Sequence, residues 1–353
     1  MQRDWGSRDG EFVEMNSTVR ARLVALAGAD GSHVCVPLQG SGTFSVEAML
    51  GTVVPRAGKL LVLVNGAYGR RMVEMALTMG RSVDALEWAE DEPVDPDVLG
   101  RRLSADTSVT HVAVVHCETT SGILNPLVEV AEVAAAHGRP LLVDAMSSFG
   151  ALPVDVRTAP FAALAASSNK CLEGVPGMGF VLVERELLAG CQGNAHSLSL
   201  DLHAQWRGFE GNGQWRFTPP THVVAALSQA LDEHAAEGGV RGRGARYARN
   251  HRVLVEGMEA LGFTCLLPRQ VQAPVITTFL TPADPRFGFD RFYEGLSARG
   301  FVIYPGKLTV ASSFRIGCIG RVGEVEMRAA VEAVRAVLAE MGVTDCSPAR
   351  RGA

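Results

Sequence analysis

Lys170 closes the apolar run Ala162-Ala-Leu-Ala-Ala-Ser-Ser-Asn169 and opens onto the glycine-rich stretch from Cys171 to Phe180. Only one other lysine, Lys59, lies in the first half of the chain. An amine that ends a buried strand beside a flexible loop is poorly placed for solubility and well placed for chemistry. Desolvation favours its neutral, nucleophilic form. The reaction this predicts is Schiff-base formation with a carbonyl group.

Other residues of chemical interest sit at the ends of other apolar runs. Asp144 ends Leu141-Leu-Val-Asp144, where a carboxylate is costly unless a cation, a metal or a ring N–H satisfies it. Room for one helix and one strand separates it from Lys170, so a repeated strand–helix sheet sets both on neighbouring strand ends, where ligands of such sheets gather. Gln39-Gly-Ser-Gly-Thr43 opens a helix; Ser41, Gly42 and Thr43 can cradle a phosphate or serve only as an N-cap. Tyr68 can stack on a flat heteroaromatic ligand or simply pack. Thr119 and Thr120 can meet a phenolic oxygen or phosphate, or cap a turn. Lysine, acid, phosphate turn and ring together describe a pyridoxal phosphate site: the lysine holds the aldehyde, and the acid keeps the pyridine nitrogen protonated as an electron sink. The alternative is a structural Asp144–Lys170 ion pair. Arg315, inside Phe314-Arg-Ile-Gly317, offers its planar fork to a substrate's anionic end, or lies on an edge strand facing solvent.

Short apolar runs must position these groups: His33–Leu38, Lys59–Val64, His111–Val115, Pro140–Asp144, Phe161–Ala166 and Gly179–Val183, alternating with helical stretches such as Gly69–Gly80 and Val128–His137. Strands of this kind are buried on both faces of a mostly parallel sheet. Residues 1–220 are therefore expected to form a large α/β domain. Residues 221–343 read as linking helices and a small α+β domain, with strands at Ala273–Phe279, Phe301–Tyr304 and Ser313–Ile316, and 344–353 as a loose polar tail.

At 353 residues, 47% hydrophobic content and a formal charge of −5, the composition is that of a globular protein with no expected nucleic-acid partner. Neither a signal-like start nor a membrane-length apolar stretch is present. The seven cysteines include no Cys-x-x-Cys pair. Neither a zinc site nor a disulfide framework is expected, and a reducing cytoplasm is the expected compartment.

Taken together, Leu38–Thr43, Val64–Gly69, Asp144–Gly150, Ser168–Cys171, Ser197–Leu202, Trp215–His222 and Phe301–Lys307 resemble the class V (alanine–glyoxylate-like) branch of fold-type I pyridoxal phosphate enzymes. The later stretches resemble its 2-aminoethylphosphonate–pyruvate transaminases in particular. The resemblance covers nearly the whole chain. It implies that Lys170 carries pyridoxal 5'-phosphate, Asp144 pairs with the pyridinium nitrogen, Tyr68 stacks on the ring, and Ser41, Gly42 and Thr43 hold the phosphate. It further implies that Thr119 lies near the phenolic oxygen, Arg315 binds the substrate anion, and Thr218 reaches the phosphate from the partner subunit of a homodimer. The implied substrates are 2-aminoethylphosphonate and pyruvate. Family members also carry an amino-terminal segment with a Thr-Pro-Gly-Pro loop that this sequence does not contain; either the start is misassigned or the segment is absent, and its absence would remove part of the substrate pocket and of the dimer contact. Other expectations are a different class V aminotransferase of small amino acids, a class V lyase such as a cysteine desulfurase, and an inactive cofactor-binding homologue. Against the lyase, Asn169 rather than histidine precedes Lys170, and Cys318 lies in a strand-like run.

Overall fold

The computed structural model describes residues 3–308 and 311–349. The chain begins with α1 (Gly10–Leu26), β1 (His33–Gln39), α2 (Gly42–Val53), β2 (Lys59–Val64), α3 (Ala67–Thr78), β3 (Ser82–Glu87), α4 (Pro96–Ala105) and β4 (His111–Val115). A short hairpin, β5 (Cys117–Glu118) and β6 (Ile123–Leu124), leads to α5 (Leu127–Ala136), β7 (Leu141–Asp144), β8 (Ala163–Ser167) and β9 (Met178–Glu184). The main sheet has the order β1-β9-β8-β7-β4-β2-β3. All its pairings are parallel except those of β9, which runs antiparallel to both β8 and β1.

Those two reversals return β1 to the direction of β8. The carboxyl ends of β1, β2, β4, β7 and β8 therefore lie along one edge, the ligand-binding edge of an open α/β sheet. Register brings the key positions side by side, with Val115 opposite Asp144 and Asp144 opposite Ala165.

The apolar runs follow from burial on two sides. Leu61, Leu63, Val112, Val114, Val143 and Leu164 face one core, and their alternating neighbours Leu60, Val62, Ala113, Leu142 and Ala163 face the other. On the first side, the core includes Phe12, Val19 and Leu23 of α1 and Val130 and Ala134 of α5; on the second, it includes Met49 of α2 and Met72 of α3. The strand β3 is absent from the sequence reading, because an edge strand with no fully buried residue over Ser82–Glu87 offers no continuous apolar run.

The remainder comprises α6 (Arg185–Ala189), α7 (Leu202–Asn212), α8 (Thr221–Ala236), α9 (Gly239–Ala260), β10 (Ile276–Leu280), α10 (Phe289–Ser297), β11 (Tyr304–Pro305), β12 (Ser313–Gly317) and α11 (Glu324–Met341). The helical stretch after Thr221 is two helices, broken where Gly238 and Gly239 take φ of 100° and 66°. In the second sheet, ordered β10-β12-β11, Phe279, Phe292 and Phe314 pack with Phe263.

Two expectations are corrected here. The Phe301–Tyr304 strand shrinks to Tyr304–Pro305, because Phe301 N donates back to Leu296 O at 3.0 Å and ties its own backbone to the end of α10. The tail is not loose over 344–349: Cys346 is buried in the small core, and Ala283 N donates to Ser347 O at 2.9 Å. The rest of that tail, 350–353, lies outside the described residues.

Candidate active site

Asp144 and Lys170 approach one cavity from adjacent strands. Asp144 is the last residue of β7, whereas β8 stops at Ser167 and Lys170 sits three residues further on, half-buried in the turn. Both line a cavity of about 260 Å³ with Ser41, Gly42, Thr43, Tyr68 and Thr119. Seven of the nine sequence-predicted residues thus meet in one place. No ion pair joins Asp144 to Lys170 or to any other cation among the described residues, so the structural ion pair is not what the fold builds.

The Asp144 carboxyl is 5% exposed, and its one hydrogen bond among the described residues comes from Met146 N to Oδ1 at 2.9 Å. Burial pushes it up to about 6; the Met146 N–H opposes this, the nearby Glu118 adds to it, and Arg71 pulls it back. A buried carboxyl short of a cation can hold a protonated ring nitrogen.

The turn after β1 has the opposite character. Ser41 is the N-cap of α2 but makes no side-chain cap bond, so the hydroxyl and the first helical N–H groups remain for an anion. Gly40 has φ of 125°, and a Cβ on Gly42 would fall 2.2 Å from Met146 Sδ. Glycine at both positions lets the turn pack tightly, with Met146 against Gly42 and Phe44 against Gly40.

Tyr68 lies in the first turn of α3, half-buried, with the Arg71 guanidinium 5.0 Å and the Lys307 ammonium 5.2 Å from its ring centroid. Burial pushes the phenol up, but the Thr119 hydrogen bond and the charges of Lys307 and Lys170 outweigh it, so the net shift is downward. Thr119 also links this wall to the second sheet, because Arg315 Nη1 donates to its carbonyl at 2.6 Å.

Arg315 lies 5% exposed on β12, the central strand of its sheet. This rules out an edge arginine facing solvent. It opens into a second cavity of about 510 Å³ that shares Tyr68, Thr119, Ser147 and Lys170 with the first. Nη1 and Nε are taken by the carbonyls of Thr119 and Pro305, while Nη2 has no hydrogen bond among the described residues. Thr218 lines neither cavity; it is exposed after Phe217.

Sequence reasoning missed two further contributors. Glu118, fully buried, accepts the backbone N–H groups of Tyr68 and Gly69; its signal was a carboxylate directly after the His111–Cys117 run. His116 is buried with Nδ1 3.0 Å from Ser148 Oγ, and desolvation lowers it to about 4. It supports the turn after Asp144 as a neutral ring. Cys318 is buried and its thiol is pushed up to about 12 by desolvation, which is unlike the exposed nucleophile a desulfurase needs.

The model of the class V aminotransferases, "Aminotransferase class-V", matches residues 2–286. The chain belongs to this family. Among class V relatives, it is 56% identical over 342 residues to the 2-aminoethylphosphonate–pyruvate transaminase of Pseudomonas putida (strain W619), covering 97% of this chain and 93% of that protein. It is 55% identical over 342 residues to the enzyme of the same name from Pseudomonas entomophila (strain L48), with the same coverage. The solved pyridoxamine–pyruvate aminotransferase of Mesorhizobium loti superposes with a TM-score of 0.89 at 23% identity, covering 97% of this chain and 88% of that one. This likeness bears on the fold alone, which is that of fold-type I enzymes. The cofactor of this class V aminotransferase is pyridoxal phosphate. The uncapped turn, the cation-poor buried carboxyl and the amine on one cavity fit its phosphate, ring nitrogen and aldehyde.

Proposed function

We propose that this class V aminotransferase moves the amino group of 2-aminoethylphosphonate to pyruvate, giving phosphonoacetaldehyde and L-alanine. The observation that carries the reading is the meeting of Asp144, Lys170 and the uncapped Ser41 turn on one cavity, beside a buried arginine. Its support in sequence is the 56% identity to the Pseudomonas putida transaminase of that name.

Bound pyridoxal phosphate supplies an aldehyde that accepts the amino group and a protonated ring that draws off the electrons left when the substrate carbon loses its proton. In this reading Lys170 holds the aldehyde, and its amine, once freed by the incoming substrate amine, moves the proton at the substrate carbon. Asp144 would keep the ring nitrogen charged. Tyr68 would pack on the ring, Thr119 would offer its hydroxyl to the phenolic oxygen, and Ser41, Gly42 and Thr43 would hold the phosphate through backbone N–H groups and hydroxyls. Arg315 takes the substrate's anionic group with its planar fork.

The homodimer belongs to the same proposal, with Thr218 reaching the partner's phosphate site. The large apolar side chain of Phe217, beside Thr218, is exposed, as is that of Phe44 beside the phosphate turn; a partner subunit would cover them. The cytoplasm is proposed on the seven free cysteines; among the described residues no helix is long and apolar enough to cross a membrane.

The test is direct. Purified protein with both substrates should form L-alanine, and borohydride reduction followed by peptide mass analysis should leave the cofactor on Lys170. No alanine, or label on another residue, overturns the proposal.

A further inference from the structure

Among the described residues, the 510 Å³ cavity carries three cationic side chains, Lys170, Arg315 and Lys307, and no carboxylate on its wall. Lys170 is committed to the cofactor in the reading above, which leaves two positive charges for the substrate. They belong to one hairpin. Tyr304 of β11 is in register with Arg315 of β12, and Lys307 follows two residues after β11 ends. Gly306 N donates to Ser313 O at 2.9 Å. A Cβ on Gly306 would lie 2.3 Å from that same oxygen, so the backbone before Lys307 is drawn close against β12. Lys307 Nζ then reaches the Tyr68 hydroxyl at 3.4 Å. Arg315 is 5% exposed, deep in the wall, whereas Lys307 is exposed at the rim.

The two substrates differ along this same line. A carboxylate sits directly on the amino-bearing carbon of alanine and carries one negative charge. In 2-aminoethylphosphonate the anionic group is one carbon further out. Like a phosphoryl group, it carries about −1.5 to −2 near neutral pH. One guanidinium suits the first anion; the second extends toward the rim and calls for another cation.

We infer that Lys307 is the second phosphonate-binding cation, and that it sets the preference for phosphonate over carboxylate amines. This rests on the transaminase reading above. On binding, its ammonium leaves the Tyr68 hydroxyl for a phosphonate oxygen, while Arg315 serves both substrates.

The test follows the two half-reactions separately, by the visible absorbance change of the cofactor with 2-aminoethylphosphonate alone and with L-alanine alone. Lys307→Ala should raise the half-saturating concentration of 2-aminoethylphosphonate roughly tenfold or more, the scale of one charge-assisted hydrogen bond. The value for L-alanine should move by less than about threefold, and Lys307→Arg should recover most of the phosphonate affinity. Thermal melts of both variants should match the parent, since the side chain is exposed. An equal loss with both amines, or none with either, overturns the inference while leaving the transaminase reading intact. A parent protein that responds to L-alanine but not to 2-aminoethylphosphonate overturns that reading instead.

Discussion

The Glu118 carboxylate caps the helix that carries Tyr68: its Oε2 accepts the Tyr68 N–H at 3.0 Å and the Gly69 N–H at 3.3 Å, while Oε1 accepts Thr120 N at 3.0 Å and Thr120 Oγ1 at 2.6 Å. Buried N–H groups without a partner are costly, so Glu118→Ala should destabilise the fold by about 2–4 kcal/mol. Glu118→Gln keeps one acceptor oxygen and should lose about half of that. Both variants should also release cofactor more readily, because the Tyr68 ring is no longer fixed. Urea unfolding and cofactor retention on gel filtration check the two effects. A Glu118→Ala protein as stable as the parent would remove the cap from the account.

Asp144 makes the cofactor-free protein pH-sensitive in a defined direction. Burial raises its carboxyl to about 6 from 3.8, so the folded state binds this proton more tightly than the unfolded chain does. The group therefore favours folding fully below about pH 4, and that contribution is lost as pH rises through 6. Asp144→Asn has no charge to bury. As apoprotein it should exceed the parent's stability at pH 8 by on the order of 1–3 kcal/mol, and show no such gain at pH 4. Its transamination rate should nevertheless fall by roughly 10²–10³-fold, because the carboxylate that would keep the ring nitrogen protonated, and the ring an electron sink, is gone. Denaturant titrations at the two pH values and an alanine assay read these out. In the parent, cofactor rebinding should weaken as pH falls through about 6, as the carboxylate protonates.

Gly179 on β9 sets how close α2 and its phosphate turn lie to the sheet. A Cβ there would fall 1.8 Å from Ser45 Oγ and 3.3 Å from Ser41 O. Gly179→Ala should cost about 1–3 kcal/mol by overpacking and weaken cofactor binding as the turn is pushed outward. Ser45 Oγ is buried without a hydrogen bond, so Ser45→Ala should be close to neutral by itself. It should also rescue Gly179→Ala by removing the atom that clashes. A double variant no better than Gly179→Ala alone would place the strain elsewhere.

The strand ends were legible in the sequence because both faces of the large sheet are buried, which leaves unbroken runs such as Leu60–Val64 and a conspicuous acid at Asp144. Their convergence followed from topology, since parallel strands share a carboxyl edge. The residues that hold the site rigid were not legible. Glu118 acts through the fold of a two-residue hairpin, and Lys307 meets Tyr68 across a separation of 239 residues. No local pattern encodes such pairs. The phosphate turn showed the limit of local rules: Gly-Ser-Gly before a helix reads as an N-cap, and only the structure shows that Ser41 makes no cap bond.

The lysine turn is itself braced from a distance. Glu173, three residues past Lys170, is the one non-glycine residue with positive φ, 60°, among the described residues. Its Oε1 accepts Tyr247 Oη at 2.5 Å and Arg246 Nη2 at 2.8 Å, while Arg243 donates through Nη1 to Cys171 O at 2.5 Å. Arg246 also donates to the carbonyls of Gly320 and Val322, so one carboxylate joins the lysine turn, α9 and the loop after β12. Two separable energies follow. Glu173→Ala and Glu173→Gly both lose the ion pair and the tyrosine bond, about 1–3 kcal/mol, since Arg246 keeps its pairing with Glu237 at 2.7 Å. Only alanine also keeps a side chain in the left-handed region, which costs roughly 1 kcal/mol more. Thermal or urea unfolding should therefore rank the parent above Glu173→Gly and Glu173→Gly above Glu173→Ala, an order opposite to that of the two residues in a helix. Glu173→Gln, which still accepts from Tyr247, should lie between the parent and Glu173→Gly. If alanine proves the more stable of the pair, the turn relaxes out of its positive φ once the network is cut. The charges, rather than the backbone, would then be what holds Lys170 at the cavity.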